Sequence, residues 1–107
     1  MKAWDYQPEA RAELEAAIAR YEDERPGLGA ELLELVEQTL ASVAEHGMPG
    51  VRVAPNLPET FRRLLMPRFH YALIVDVRAE RRLVLAVAHL RRRPNYWRGR
   101  LRGSAPR

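Results

Sequence analysis

The sequence predicts an α+β domain in which an N-terminal α-helical hairpin packs on a small, mostly antiparallel β-sheet. Three observations carry that expectation. Apolar residues recur at helical spacing up to His46, and they recur in strand-like runs from Phe61 to Leu90. No helical stretch separates the later runs, which excludes the βαβ alternation of a parallel sheet.

The elements follow in chain order. Lys2 to Tyr6 alternates weakly and fits a short edge strand. Gln7-Pro8-Glu9 opens a helix, because proline is tolerated in the first turn and an acid there complements the helix dipole. Ala10, Leu14, Ala17, Ile18 and Tyr21 then form one apolar stripe, while Arg11 and Glu15 make at most a weak surface pair. Arg25-Pro26-Gly27-Leu28-Gly29 stops the helix and turns the chain. A second helix starts between Leu28 and Ala30. It turns Leu32, Leu33, Val36, Leu40 and Val43 inward and Glu31, Glu34 and Glu37 outward, and it ends at His46-Gly47.

Met48 to Glu59 carries Pro49, Gly50, Pro55 and Pro58 and reads as a long connection without a regular element. Three strands follow, joined by turns at Met66-Pro67-Arg68 and Arg78-Ala79-Glu80-Arg81. Phe61 to Met66 places Arg62 on the face of Leu64 and Met66, with Arg63 opposite. Phe69 to Val77 alternates through Tyr71, Leu73 and Val75. Arg82 to Leu90 is apolar almost throughout, as a strand covered on both faces would be. By simple alternation His89 shares a face with Leu83, Leu85 and Val87.

At 107 residues, with 47% apolar and 30% charged content, the chain suits one globular domain. That domain is expected over 1–101, with 102–107 as a flexible tail. No apolar run reaches the roughly 20 residues of a membrane helix, and the N-terminus has no signal-peptide core, so a cytoplasmic location is expected. Cysteine is absent and the histidines at 46, 70 and 89 are scattered, so neither a metal nor another cofactor is expected.

Charge is divided unevenly. From Phe61 onward thirteen arginines face only Asp76 and Glu80, whereas the first sixty residues hold twelve acids. Such asymmetry selects a polyanionic or acidic macromolecular partner over a neutral small-molecule substrate.

Three blocks together resemble the RelE/ParE superfamily of bacterial toxins, over about residues 3–98. They are Pro8–Leu14 with Tyr21–Gly29, Arg62–Leu65 with Arg68–Leu73, and Val84–His89 followed by Arg91-Arg92-Arg93-Pro94 and Tyr96-Trp97. The first and last blocks are closest to the ParE-like branch. The resemblance implies the fold read above and a cytoplasmic toxin of a type II pair, neutralised by a cognate antitoxin. ParE-like members are associated with inhibition of DNA gyrase; RelE-like members cut messenger RNA in the ribosome.

These activities ask for different residues. Cleavage of RNA needs a base, an acid and cations for the developing phosphate charge. The resemblance offers Arg68 and Arg91 as phosphate holders and His89 or Tyr96 as proton carriers. Lys2 is the sole lysine, a departure from the lysine-bearing nuclease sites. His89 also reads as a satisfied residue capping the core, and Tyr96 with Trp97 as anchors of the tail. Gyrase inhibition needs only a rigid surface, for which Arg62, Arg63, Arg91, Arg92, Arg93 and Trp97 are candidates. The Arg91–Arg93 run is also the expected docking edge for antitoxin carboxylates. A nucleic-acid-binding module, or a non-toxic remnant that keeps only antitoxin binding, shares the same charge pattern.

Overall fold

A computed structural model describes residues 4–46, 50–66 and 68–101. The start of the expected first strand, Gly47, Met48, Pro49, the turn residue Pro67 and the expected tail 102–107 lie outside the described residues. The elements are β1 (Asp5–Tyr6), α1 (Pro8–Glu24), α2 (Leu28–His46), β2 (Val51–Arg52), β3 (Phe61–Met66), β4 (Tyr71–Val77), β5 (Arg82–His89) and a final 3₁₀ helix (Tyr96–Arg100). The strands form a five-stranded sheet in the order β1-β5-β4-β3-β2. Only β1 runs parallel to its neighbour, so the α+β layout with a helical hairpin over a mostly antiparallel sheet is present.

The hairpin forms because local chemistry terminates one helix and starts the next. Pro8 opens α1, and Arg25-Pro26 cannot continue it. The Glu22 carboxylate then accepts hydrogen bonds from the Gly27 and Gly29 N–H groups at 2.9 and 3.0 Å. It thereby satisfies donors that the first turn of α2 leaves open. Gly29 lets α2 cross close to α1, since a Cβ there would lie 2.7 Å from the Ile18 carbonyl oxygen.

The helices cover one sheet face. Ala10, Leu14, Ala17 and Tyr21 of α1 and Leu32, Val36, Leu40 and Val43 of α2 pack on Leu64, Met66, Leu73, Val75, Val84 and Val87. Leu33, expected inside, is only partly buried. Arg11 pairs with no carboxylate among the described residues; its guanidinium lies over the Tyr6 ring at 4.5 Å. The opposite face holds a second core of Phe61, Ile74, Leu83, Leu85, Ala86 and Trp97, closed by the 3₁₀ helix.

Two expectations need correction. The connection before β3 is not wholly irregular: Val51–Arg52 pairs antiparallel with Arg62 and Arg63. Gly50, at φ +59°, permits this approach, because a Cβ there would lie 2.2 Å from the Arg63 carbonyl oxygen. Simple alternation also fails along β5. Ile74 faces Ala86 while Val75 faces Val84, so Leu85 is an extra residue. This bulge turns Leu83, Leu85 and Ala86 to the second core and Val84 and Val87 to the helices. His89 therefore lies on the helix-bearing face, beside Tyr71, and not in line with Leu83 and Leu85.

Candidate functional site

The end of β5 and the segment after it gather most of the candidate residues. The first strand explains why. β1 pairs with β5 only at Leu83 and Val84, and Gln7 N–H donates to the Val84 carbonyl before Pro8 turns the chain into α1. The outer edge of β5 beyond the bulge is thus left without a strand. Side chains cover it instead. Glu13 of α1 accepts from Val87 N–H at 3.0 Å, and Arg100 Nη1 donates to the Leu85 carbonyl at 3.0 Å. Arg100 grips the same carboxylate with both terminal nitrogens, at 3.0 and 2.6 Å, and the Tyr96 hydroxyl donates to it at 2.6 Å.

This cluster fixes the protonation of its members. Burial pushes the Glu13 carboxyl up, but the bonds from Arg100, Tyr96 and Val87 outweigh burial and hold it below the ordinary carboxylate range. Burial first, then the hydrogen bond to Glu13 and after it the Glu13 charge, push the Tyr96 phenol up to about 12. A phenol so placed is a committed hydrogen-bond donor and a poor proton acceptor at neutral pH. Its ring also carries the Arg92 guanidinium at 3.8 Å.

Beyond β5 the chain turns sharply. His89 accepts Arg92 N–H at its carbonyl, at 2.9 Å, and Arg91 N–H at Nδ1, at 3.1 Å. Asn95 adopts a left-handed conformation, φ 62°, which asparagine tolerates better than most side chains. The 3₁₀ helix then folds back under the sheet. Trp97, 2% exposed, fills the second core with its ring centroid 6.4 Å from that of Phe61. As folded, Trp97 is an anchor whose ring offers little surface to a partner.

Two recesses flank the end of β5. One, on the helix-bearing side, has a volume of ≈ 310 Å³ and is lined by Glu13, Arg20, Tyr71, His89 and Arg91. The other, ≈ 300 Å³, runs across the open sheet face between Arg63, Leu90, Arg92, Arg93 and Tyr96. Beside it stand the exposed apolar side chains Val51 and Leu65, each 58% exposed, and Leu90, 45% exposed. Arg63 is exposed on this face, whereas Arg62 is tied to the Glu59 and Gly50 carbonyls at 3.2 Å each.

The nuclease candidates are therefore split. His89 and Arg91 share one recess, and His89 and Tyr96 both border the other. Arg68 lines neither recess; its guanidinium donates to Glu31 of α2 at 2.6 Å and lies 5.3 Å from the Phe69 ring centroid. Tyr96 is spent on Glu13. Sequence reasoning missed Glu13, Arg20 and Arg100. The first two are seven residues apart on α1, on the flank of its apolar stripe, a spacing that puts both on the side of a helix facing one neighbour.

No family model and no curated protein matches the sequence. Among solved structures, the fold is similar to a chain described as the chromosomal ParDE TA system from P. aeruginosa. The two share a TM-score of 0.56 and 17% identity, over 83% of this chain and 96% of that one. At this identity the likeness is one of fold, and it agrees with the RelE/ParE-like architecture of two helices on a five-stranded sheet.

Proposed function

We propose that the chain is the toxin component of a bacterial type II toxin–antitoxin pair, acting in the cytoplasm by binding and inhibiting DNA gyrase. Its neutralising partner is a cognate antitoxin. The fold shared with a chain of a ParDE toxin–antitoxin system supports the first part. The observation that carries the second is the engagement of Arg68 by Glu31 and of Tyr96 by Glu13, which occupies two of the four residues that RNA cleavage would use. Inhibition by docking needs no such set.

The open sheet face suits the antitoxin. Arg63, Arg92 and Arg93 flank a groove next to exposed Leu65 and Leu90, a pairing that fits a segment carrying both carboxylates and apolar anchors. Induction of the chain without antitoxin, followed within minutes by pulse labelling, tests the reading. Early loss of DNA synthesis is expected. Early loss of protein synthesis would replace it with ribosomal mRNA cutting, and no loss of either, with soluble protein present, would leave a non-toxic antitoxin-binding remnant.

A further inference from the structure

Charge on this molecule is separated by face as well as by position in the chain. α2 holds Glu31, Glu34, Glu37 and Glu45 and neither lysine nor arginine. Glu31 is engaged by Arg25 and Arg68. Glu34, Glu37 and Glu45 are exposed and pair with no cation among the described residues. At about 100° per residue, Ala30, Glu34, Ala41 and Glu45 fall on one narrow stripe, with Glu37 on its flank. Leu32, Val36, Leu40 and Val43 occupy the other side of the helix and pack on the sheet, so the stripe faces outward.

The open face of the sheet has the complementary charge. Arg63, Arg92 and Arg93 are exposed around the ≈ 300 Å³ groove and pair with no carboxylate among the described residues. Ala72 and Ala88 lie between these rims, and their short side chains keep the floor of the groove low. Exposed Leu65 and Leu90 stand beside it. One molecule therefore presents an acidic helix with small residues between its carboxylates, and a shallow basic groove on its far side.

We propose that the groove receives the outward stripe of α2 from a second copy of this chain, so that free copies associate head to tail. A two-fold pair built groove to groove is excluded by charge, since Arg63, Arg92 and Arg93 would meet their own equivalents. With groove and stripe on opposite sides of the sheet, each added copy leaves a free groove at one end and a free stripe at the other. Salt gives the association a sign. The net charge of +4 makes whole copies repel, and added salt relieves that repulsion. Association that weakens with salt thus reports the opposed patches and not general stickiness. The inference rests on the docking role given to the groove above. It adds that the free chain covers this surface with itself, and that an antitoxin taking the groove dissolves the assembly by mass action.

Sedimentation velocity of the full chain from about 10 μM to about 1 mM tests this, the range in which a small polar interface associates. In about 50 mM salt the mean mass should climb past that of a dimer, and in about 500 mM it should return toward the monomer's 12.3 kDa. Two charge reversals assign the faces. Arg63→Glu with Arg93→Glu, and separately Glu34→Arg with Glu37→Arg, should each weaken self-association at least about tenfold. All four side chains are exposed, so both variants should keep the wild-type circular dichroism. An equimolar mixture of the two variants should associate again, because the reversed groove then meets the reversed helix and the native groove the native helix. A wild type that stays monomeric in low salt, a mass that levels off at a dimer, an association that strengthens with salt, or a mixture that stays monomeric overturns the proposal. Pulse labelling reports the cellular target whatever the state of association, so this inference and the toxin reading fail separately.

Discussion

Glu13 and Arg100 meet around the edge of β5 through two hydrogen bonds, at 3.0 and 2.6 Å, although 86 residues separate them. The pair does what a missing strand would do, one partner taking the Val87 N–H and the other the Leu85 carbonyl. It also ties the C-terminal 3₁₀ helix to α1, and so joins the two faces of the sheet. Both side chains are mostly shielded, at 15% and 18% exposure, so screening by water is limited.

Neutralising either partner removes the charge that offsets the partial burial of the other. Glu13→Gln and Arg100→Gln should each cost about 3 kcal/mol of stability in urea unfolding. The double variant should lose much less than the sum of the two. Additive losses would mean that the residues act separately and that the edge is not held by their contact.

The same contact sets an acid limit. Glu13 titrates below its unfolded value in the folded protein, so its contribution is complete above the unfolded pKa and is lost as pH falls through the folded one. Wild-type stability should therefore drop more steeply than that of Glu13→Gln below about pH 4.5, the ordinary glutamate range. Thermal melts of the two proteins across that range should converge at the acid end. Parallel curves would remove Glu13 from the acid response.

The sequence made the helices, the three long strands and the α+β order legible, because each rests on a repeating apolar pattern. It also exposed Arg91–Arg93 as a charged run. What it hid depends on contacts between distant positions. The Leu85 bulge shifts His89 to the helix side of the sheet, and no local feature of an almost uniformly apolar β5 announces an extra residue. β2 forms only because Gly50 admits the Arg63 carbonyl. Glu13 looked like one acid among many on α1; its importance comes from β1 ending early beside it. Tyr96 and Trp97 were readable as tail anchors, and the anchoring partners, Glu13 and Phe61, needed the fold.

Trp97 is the keystone of the second core. Trp97→Ala should destabilise by about 3–5 kcal/mol, the range for emptying a large aromatic site. Loss of the 3₁₀ helix should follow, seen as faster amide exchange over Tyr96–Arg100. A near-neutral effect would show that the open face does not depend on this ring.

The docking groove makes a separate prediction. Reversing Arg63 and Arg93 to glutamate should weaken antitoxin binding more than tenfold in calorimetry, because two flanking charges would then repel the partner's carboxylates. Arg91→Glu with Arg92→Glu should also exceed tenfold, though Arg92 additionally covers the Tyr96 ring. Unchanged affinity in the first variant would clear the groove of that role.

Catalysis and docking part company at Tyr96 and His89. Tyr96→Phe keeps the ring under Arg92 and removes only the hydroxyl that Glu13 accepts, so it should cost about 1–2 kcal/mol of stability. His89→Ala removes a partly exposed ring at the strand end and should leave the fold intact. If the chain acts by docking on gyrase, both variants should arrest growth as the wild type does at equal soluble levels. A nuclease would behave differently: His89→Ala or Tyr96→Phe would abolish toxicity with the folded fraction unchanged. That outcome would require Tyr96 to leave Glu13 on binding its target, and Glu13→Gln, which weakens that hold, would then raise the cleavage rate.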